Sequence, residues 1–216
     1  MTHTLPAQLK DIAVIRLGYP FRSSIENIRL DAEDLKGLIG VIQMKDFDPF
    51  NRLGWQDVYN VQIENLDKTH LLQLGDILFR SRGVSNTAAL VTEEMQQVKH
   101  VDQFVASAAL MVIQVKTNRV DPAYLCWYIN HSQGQRQLSR LAKGTNQQMI
   151  SKAALESFTV ELPSLERQQF IGQLAALSQR EQEILSELTQ KRKEYSDTAL
   201  RMLAQGSLNL EKEGRG

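Results

Sequence analysis

The sequence contains a single cysteine, Cys126, so no disulfide can form within the chain and a scaffold stapled by bridges is excluded. Cys126 sits among apolar neighbours in AYLCWYI, which predicts a small buried hydrophobe. An unbridged chain suits a reducing compartment. No apolar run approaches the length of about 18 residues that a membrane-spanning helix needs. The opening stretch MTHTLPAQLKDIAVI has no long apolar core, so no signal peptide is expected. Net charge is missing too: 25 basic residues stand against 25 acidic ones. A neutral protein has no global field to draw it onto DNA or a membrane, so any nucleic-acid site must arise from local clustering.

Catalytic constellations are also absent. His3, His70, His100 and His131 are scattered, and none stands at metal-ligand spacing with Cys126 or with another histidine. His131 lies near a helix end, where a capping or surface role is expected. There is no GxGxxG, no Walker loop and no GxSxG; GLIG at Gly37 has the wrong spacing. FDPFN (Phe47 to Asn51) faintly echoes the Asn/Asp-Pro-Pro-aromatic loop of amino-methyltransferases. It lacks the second proline, and Asp48-Pro49 reads as a turn. The acidic pairs Asp46/Asp48 and Glu93/Glu94 have no matching lysine arrangement of the kind a nuclease uses. No enzyme activity, cofactor or metal is expected.

What is present changes character near Pro163. Before it, apolar runs alternate with turn residues. Asp11 to Gly18, Gly37 to Asp46, Asp57 to Ile63, Gly75 to Arg80, Ala88 to Thr92 and Ser107 to Lys116 are rich in Val, Ile and Leu and bounded by Gly, Asp or Asn, so each reads as a strand. DPAYLCWYINHS reads as a helix with Asp121 as N-cap and Pro122 at the first helical position. GQRQLSRLAKG reads as a second helix stopping at Gly144. Residues 1–163 are therefore expected to form a mixed α/β (α+β) domain with a mainly β core. The apolar fraction of 42% is enough for such a core.

From Leu165 to Gln205 there is no proline, and the one internal glycine is Gly172. Ser164 is a suitable N-cap and Glu166 suits the first turn. The stretch predicts a single helix roughly 60 Å long. Steps of four and three link Phe170, Leu174, Leu177, Glu181, Ile184, Leu188, Lys191, Tyr195, Thr198 and Met202. That is a coiled-coil seam interrupted at Glu181, Lys191 and Thr198. The alternative is a helical hairpin folded back on its own domain, but no second long helix is available to form it. A helix over 164–206 whose partner comes from another chain is the expectation, with residues 207–216 as a frayed tail.

Two stretches lack acids altogether. From Pro122 to Leu155 there is no Asp or Glu, while Arg136, Arg140 and Lys143 share one helix face and lead into the amide-rich KGTNQQMIS. From Ile77 to Thr92 acids are again missing, and Arg80 and Arg82 stand beside Ser85, Asn86 and Thr87. Arg, Asn and Gln read base edges; Ser, Thr and Lys hold phosphates. On charge alone a solvated face is the simpler reading.

The order of motifs adds to this. LKDIAVIRLGYPF, GLIGVIQMKDF, LQLGDILFRSRG and the long run from VDPAYLCWYINHS to ELPSLERQQFI together resemble one half of a type I restriction-modification specificity subunit: a target recognition domain and its long helix. Where that family usually shows Pro-x-x-x-Glu-Gln, this chain reads Pro163-Ser164-Leu165-Glu166-Arg167-Gln168, with Arg167 intervening. The resemblance runs through about Gln205. It implies a non-catalytic adaptor in a bacterial or archaeal cytoplasm that reads one half of a split double-stranded DNA target. It also implies methyltransferase and restriction subunits as partners. The unpaired seam is expected to form a homodimer of antiparallel helices through Phe170, Leu174, Leu177, Ile184, Leu188, Tyr195 and Met202. The resemblance places DNA against Arg80, Ser81, Arg82, Ser85 and Asn86, against Lys143, Asn146, Gln147 and Gln148, and more weakly against Gln43 and Lys45. The competing expectations are the recognition domain of a stand-alone methyltransferase or nuclease, and a defence-related adaptor that binds protein through its coiled coil.

Overall fold

The computed structural model describes residues 5–22, 24–28, 37–55, 57–83, 85–97, 101, 103–142 and 148–205. The order of elements is β1 (Leu5–Gln8), α1 (Leu9–Ile12), β2 (Ala13–Leu17), β3 (Ile39–Ile42), β4 (Tyr59–Val61), β5 (Ile77–Arg80), β6 (Arg82–Gly83), β7 (Ala88–Leu90), β8 (Gln103–Ala106), β9 (Leu110–Val115), α2 (Pro122–Asn130), α3 (Ser132–Leu141), β10 (Gln148–Met149), α4 (Lys152–Glu156), β11 (Thr159–Leu162) and α5 (Leu165–Ala204). This is the mixed α/β class with a β core and a long C-terminal helix that the sequence implies.

The central sheet has the order β2-β9-β5-β7, antiparallel throughout. The apolar runs of β5, β7 and β9 are continuous rather than alternating because both of their faces are covered, whereas the edge strand β2 alternates and leaves Val14 and Leu17 exposed. Ile77 and Phe79 point into one cluster with Ile15, Met111 and Ile113, packed against Leu125, Ile129, Leu138 and Leu155 of the helices. Leu78 and Val112 point the other way, into a cluster with Ile42, Trp55 and Phe104. That second cluster lies beneath the sheet β4-β3-β8, where β3 and β8 run parallel. The outer face of that sheet carries Ile39, Val41 and Val105. β1 pairs with β11 and closes the domain beside the first cluster.

Several sequence expectations shift at their edges. The run Asp11 to Gly18 is extended only from Ala13: Leu9 and Ile12, one helical turn apart, are both fully buried and form α1 instead. Gly37 to Asp46 stops as a strand at Ile42, because the Asp46 carboxylate accepts the Gln43 N–H at 2.7 Å and turns the chain into a 3₁₀ segment. Ser107 to Lys116 is extended only from Leu110; the Leu110 N–H closes a turn on the Ser107 carbonyl at 2.9 Å. The strand before that turn, β8, was not anticipated. α2 begins as expected, with Asp121 accepting from Tyr124 N–H at 2.8 Å and Pro122 in the first turn. His131 closes α2 and opens α3. α3 ends at Leu141, and Gly144 lies outside the described residues.

The chain forms two compact units, Met1–Ala175 and Ala176–Gly216, so the first turns of α5 belong to the first unit. Gln168 fixes them there. It is almost fully buried: Oε1 accepts from the Asp121 N–H at 3.0 Å, and Nε2 donates to the carbonyls of Arg119 and Pro163 at 3.0 and 2.9 Å. Gly172, the lone glycine of the helix, lies close against the start of α2. A Cβ there would stand 2.9 Å from Ala123 Cβ and 3.1 Å from Asp121 Oδ1. Beyond Ala175 the second unit is the rest of α5.

Candidate nucleic-acid interface

β5 delivers its last residue, Arg80, from a buried strand to a half-buried position. The Arg80 N–H donates to Thr87 O at 2.8 Å, and its carbonyl accepts from Asn86 Nδ2 at 3.0 Å. The strand end and the return to β7 are therefore tied across a short loop. Ser81 is buried, with Oγ donating to Ala109 O at 3.3 Å. Arg82 is exposed, Ser85 is half-buried and Asn86 is buried. Gly83 has φ +122, a backbone conformation side chains rarely adopt. A Cβ there would also sit 3.4 Å from Met44 Cε.

The two acid-free stretches meet. β6 pairs antiparallel with β10: Gln148 stands opposite Gly83 and Met149 opposite Arg82. The Ile150 N–H then donates to Ser81 O at 3.0 Å. Lys143, Asn146 and Gln147 lie outside the described residues, as does the side chain of Gln148; what is described is the ribbon that their segment enters. Two-residue strands carry no periodicity, so this pairing has no sequence signal.

A third segment joins from β3. The Arg80 guanidinium lies over the Phe47 ring, 5.4 Å from its centroid, a cation–π arrangement. Lys45 is held in place: Nζ is 2.9 Å from Asp46 Oδ1 and 4.2 Å from the Tyr59 ring centroid. Gln43 is half-buried. Gln43 Nε2, Arg80 Nε and Thr87 Oγ1 are buried atoms with no hydrogen-bond partner among the described residues. Such groups are costly unless something satisfies them. FDPFN is the turn it resembles: the Asp48 carboxylate accepts from the N–H groups of Phe50 and Arg52, each at 2.8 Å, and Asn51 has φ +60.

Sequence reading missed the amides that shape this loop from behind. Asn130, at the end of α2, grips Ala88: Oδ1 accepts its N–H at 2.9 Å and Nδ2 donates to its carbonyl at 2.7 Å. Because β7 is an edge strand, this side chain stands in for a neighbouring strand. Gln135 Nε2 donates to Asn86 O at 3.0 Å and to Ile129 O at 2.8 Å. Gln137 clamps the backbone of Thr159 in the same two-bond manner. The signal was the amide content of the acid-free stretch, read only as surface chemistry.

Among the described residues, no group of His, Cys, Asp and Glu could hold a metal ion. Cys126 is buried, and burial pushes its thiol up to about 12, so it is not a nucleophile at neutral pH. No described helix is long and apolar enough to cross a membrane. α5 presents a second surface. Phe170, Leu174, Leu177, Ile184, Leu188, Tyr195 and Met202 all lie exposed, from 45% to 78%.

Residues 9–194 match the family model described as the type I restriction modification DNA specificity domain. A search of curated protein sequences finds no match. Solved structures share the fold. A chain from work on the complex assembly and conformational transition of the type I R-M system has TM-score 0.62 at 18% identity, covering 94% of this chain and 44% of that one. The HsdS subunit from Thermoanaerobacter tengcongensis has TM-score 0.55 at 17% identity, covering 85% and 39%. The type I restriction-modification S subunit from M. genitalium has TM-score 0.55 at 13% identity, covering 94% and 46%. The chain thus spans less than half the length of each.

Proposed function

The chain belongs to the type I restriction modification DNA specificity family, and we propose that it is a non-catalytic subunit reading one half of a split duplex target. The observation that carries this reading is the β6–β10 ribbon, which joins the two acid-free segments into one strip. Arg82, exposed on that ribbon, is the leading contact, with Ser85 beside it. Lys143, Asn146, Gln147 and Gln148 contribute from the segment entering β10. Gln43 and Lys45 flank the strip. Arg80, lying on Phe47, braces it from behind. Ser81 and Asn86, being buried, shape the loop rather than touch DNA. A neutral protein with such a strip binds through local contacts, giving weak nonspecific affinity and a preference set by base edges.

The exposed seam of α5 supports the rest of the proposal. A second copy covers it, antiparallel, and the paired helices dock the methyltransferase and restriction subunits in the cytoplasm of a bacterium or archaeon. The test is selection from a random duplex library, cycle by cycle, with the purified chain. A motif should emerge. Binding that stays independent of sequence through every cycle would remove the reading.

A further inference from the structure

We propose that two copies of this chain pair along α5 in one register only, antiparallel about a two-fold axis beside Ser186, with Glu181 of each copy facing Lys191 of the other. The inference rests on the homodimer proposed above and adds its geometry.

The argument starts from the polar residues of the seam. A buried or half-buried charge in a helix interface is tolerated only when paired, and it therefore dictates register. Glu181 and Lys191 are both exposed, and neither carries an ion pair among the described residues. In a parallel, in-register dimer every seam residue faces its own copy. Glu181 would then meet Glu181, and Lys191 would meet Lys191, two like-charge contacts in an apolar stripe. Reversing one helix about Ser186 turns both into opposite-charge contacts. In the same register Phe170 meets Met202, Leu177 meets Tyr195 and Ile184 meets Leu188, and the one mixed layer sets Leu174 against the uncharged Thr198.

Sliding the antiparallel pair by one heptad undoes this. In one direction Lys191 falls opposite Leu188 and Glu181 opposite Thr198; in the other Lys191 falls opposite Leu174 and Glu181 opposite Ile184. Both shifts leave the two charges unpaired against apolar or neutral neighbours, which costs desolvation with no Coulombic return. The chosen register also accounts for Leu185, an exposed apolar residue off the seam at 54%. It lies next to the axis, where it meets Leu185 of the second copy. Glu187 also approaches its own copy near the axis, on the water-exposed rim where screening is strong.

The experiment compares the full chain with Glu181→Lys, Lys191→Glu and the double swap, using sedimentation equilibrium with helix content followed by circular dichroism. Each single change converts two symmetry-related attractions into repulsions and should raise the dimer dissociation constant roughly tenfold or more. The double swap should return it close to the starting value. Equal dissociation constants for all four proteins, or single variants weakened with no recovery in the swap, overturn the register. A starting chain that stays monomeric at every concentration overturns the homodimer itself. A second arm does not depend on charge. Leu177→Cys together with Tyr195→Cys in one chain should oxidise to a covalent dimer, and Leu177→Cys alone should not; cross-linking by the single variant would assign the parallel arrangement instead.

Discussion

Ser81 and Ser85 stand four residues apart in one loop, and only the second is open to a ligand. Composition cannot separate them, because an irregular segment has no period to say which side chains turn inward. Arg82 is the residue whose role is sharpest. If it touches a base, Arg82→Ala relaxes specificity at one position by about 1–3 kcal/mol. If it touches a phosphate, affinity falls on all sequences and the salt slope drops by about one; titrations at several salt concentrations separate the two. Gln135 and Gln137 offer a matched pair on α3. Gln135→Met frees the Asn86 carbonyl and should speed hydrogen exchange at the amides of Arg80 and Ala88, whereas Gln137→Met should leave both unchanged. Asp76 governs a different observable. It is almost fully buried, accepts from Gln73 N–H at 3.0 Å and lies 3.3 Å from Arg16. Burial is the dominant effect and raises its pKa above 3.8, outweighing the hydrogen bond from Gln73 and the Arg16 charge. The folded state therefore holds that proton more firmly than the unfolded chain. This group's contribution to stability is full below 3.8 and declines as pH rises through the folded value. Asp76→Asn should remove that decline, so urea midpoints measured across the interval should fall less steeply with pH than in the parent.

At the level of elements, what was legible in the sequence had either a long period or a strong terminal signal. The α5 seam is both long and regular, and α2 announces itself through Asp121 and Pro122. The strands β5 and β9 were legible as apolar runs, but their burial on both faces was not, because a continuous run does not say what covers it. β6 and β10, each two residues long, had no signal at all, although their pairing assembles the candidate interface. The strand expected from Asp11 starts two residues late because Leu9 and Ile12 close one helical turn that reaches into the front of that run. Gly172 is an intermediate case: its presence in the helix was plain, and its reason, close approach to Ala123 and Asp121, needed the tertiary structure. Gly172→Leu should destabilise the fold by about 1–3 kcal/mol through overpacking, even though leucine is the better helix former. Urea denaturation checks this, and an unchanged midpoint would mean that the contact yields without cost.

At the scale of the whole molecule, neutrality and symmetry combine into one further expectation. A chain with 25 charges of each sign gains little from the general field of DNA, so a single recognition domain holds its target through a few local contacts. A dimer with a two-fold axis doubles those contacts on one duplex and ties the second binding event to the first, which raises effective affinity without any new contact type. The same axis constrains the target. If two copies pair as proposed, their identical domains face identical half-sites on opposite strands, and the expected motif is palindromic with a fixed spacer. Selected duplexes should show this directly. Lengthening the spacer by two base pairs rotates one half-site by roughly a fifth of a helical turn against the other and should cost most of the gain from bivalency, leaving affinity near that of a duplex with one half-site. A selected motif without two-fold symmetry would instead mean that a different recognition domain occupies the other half of the assembly.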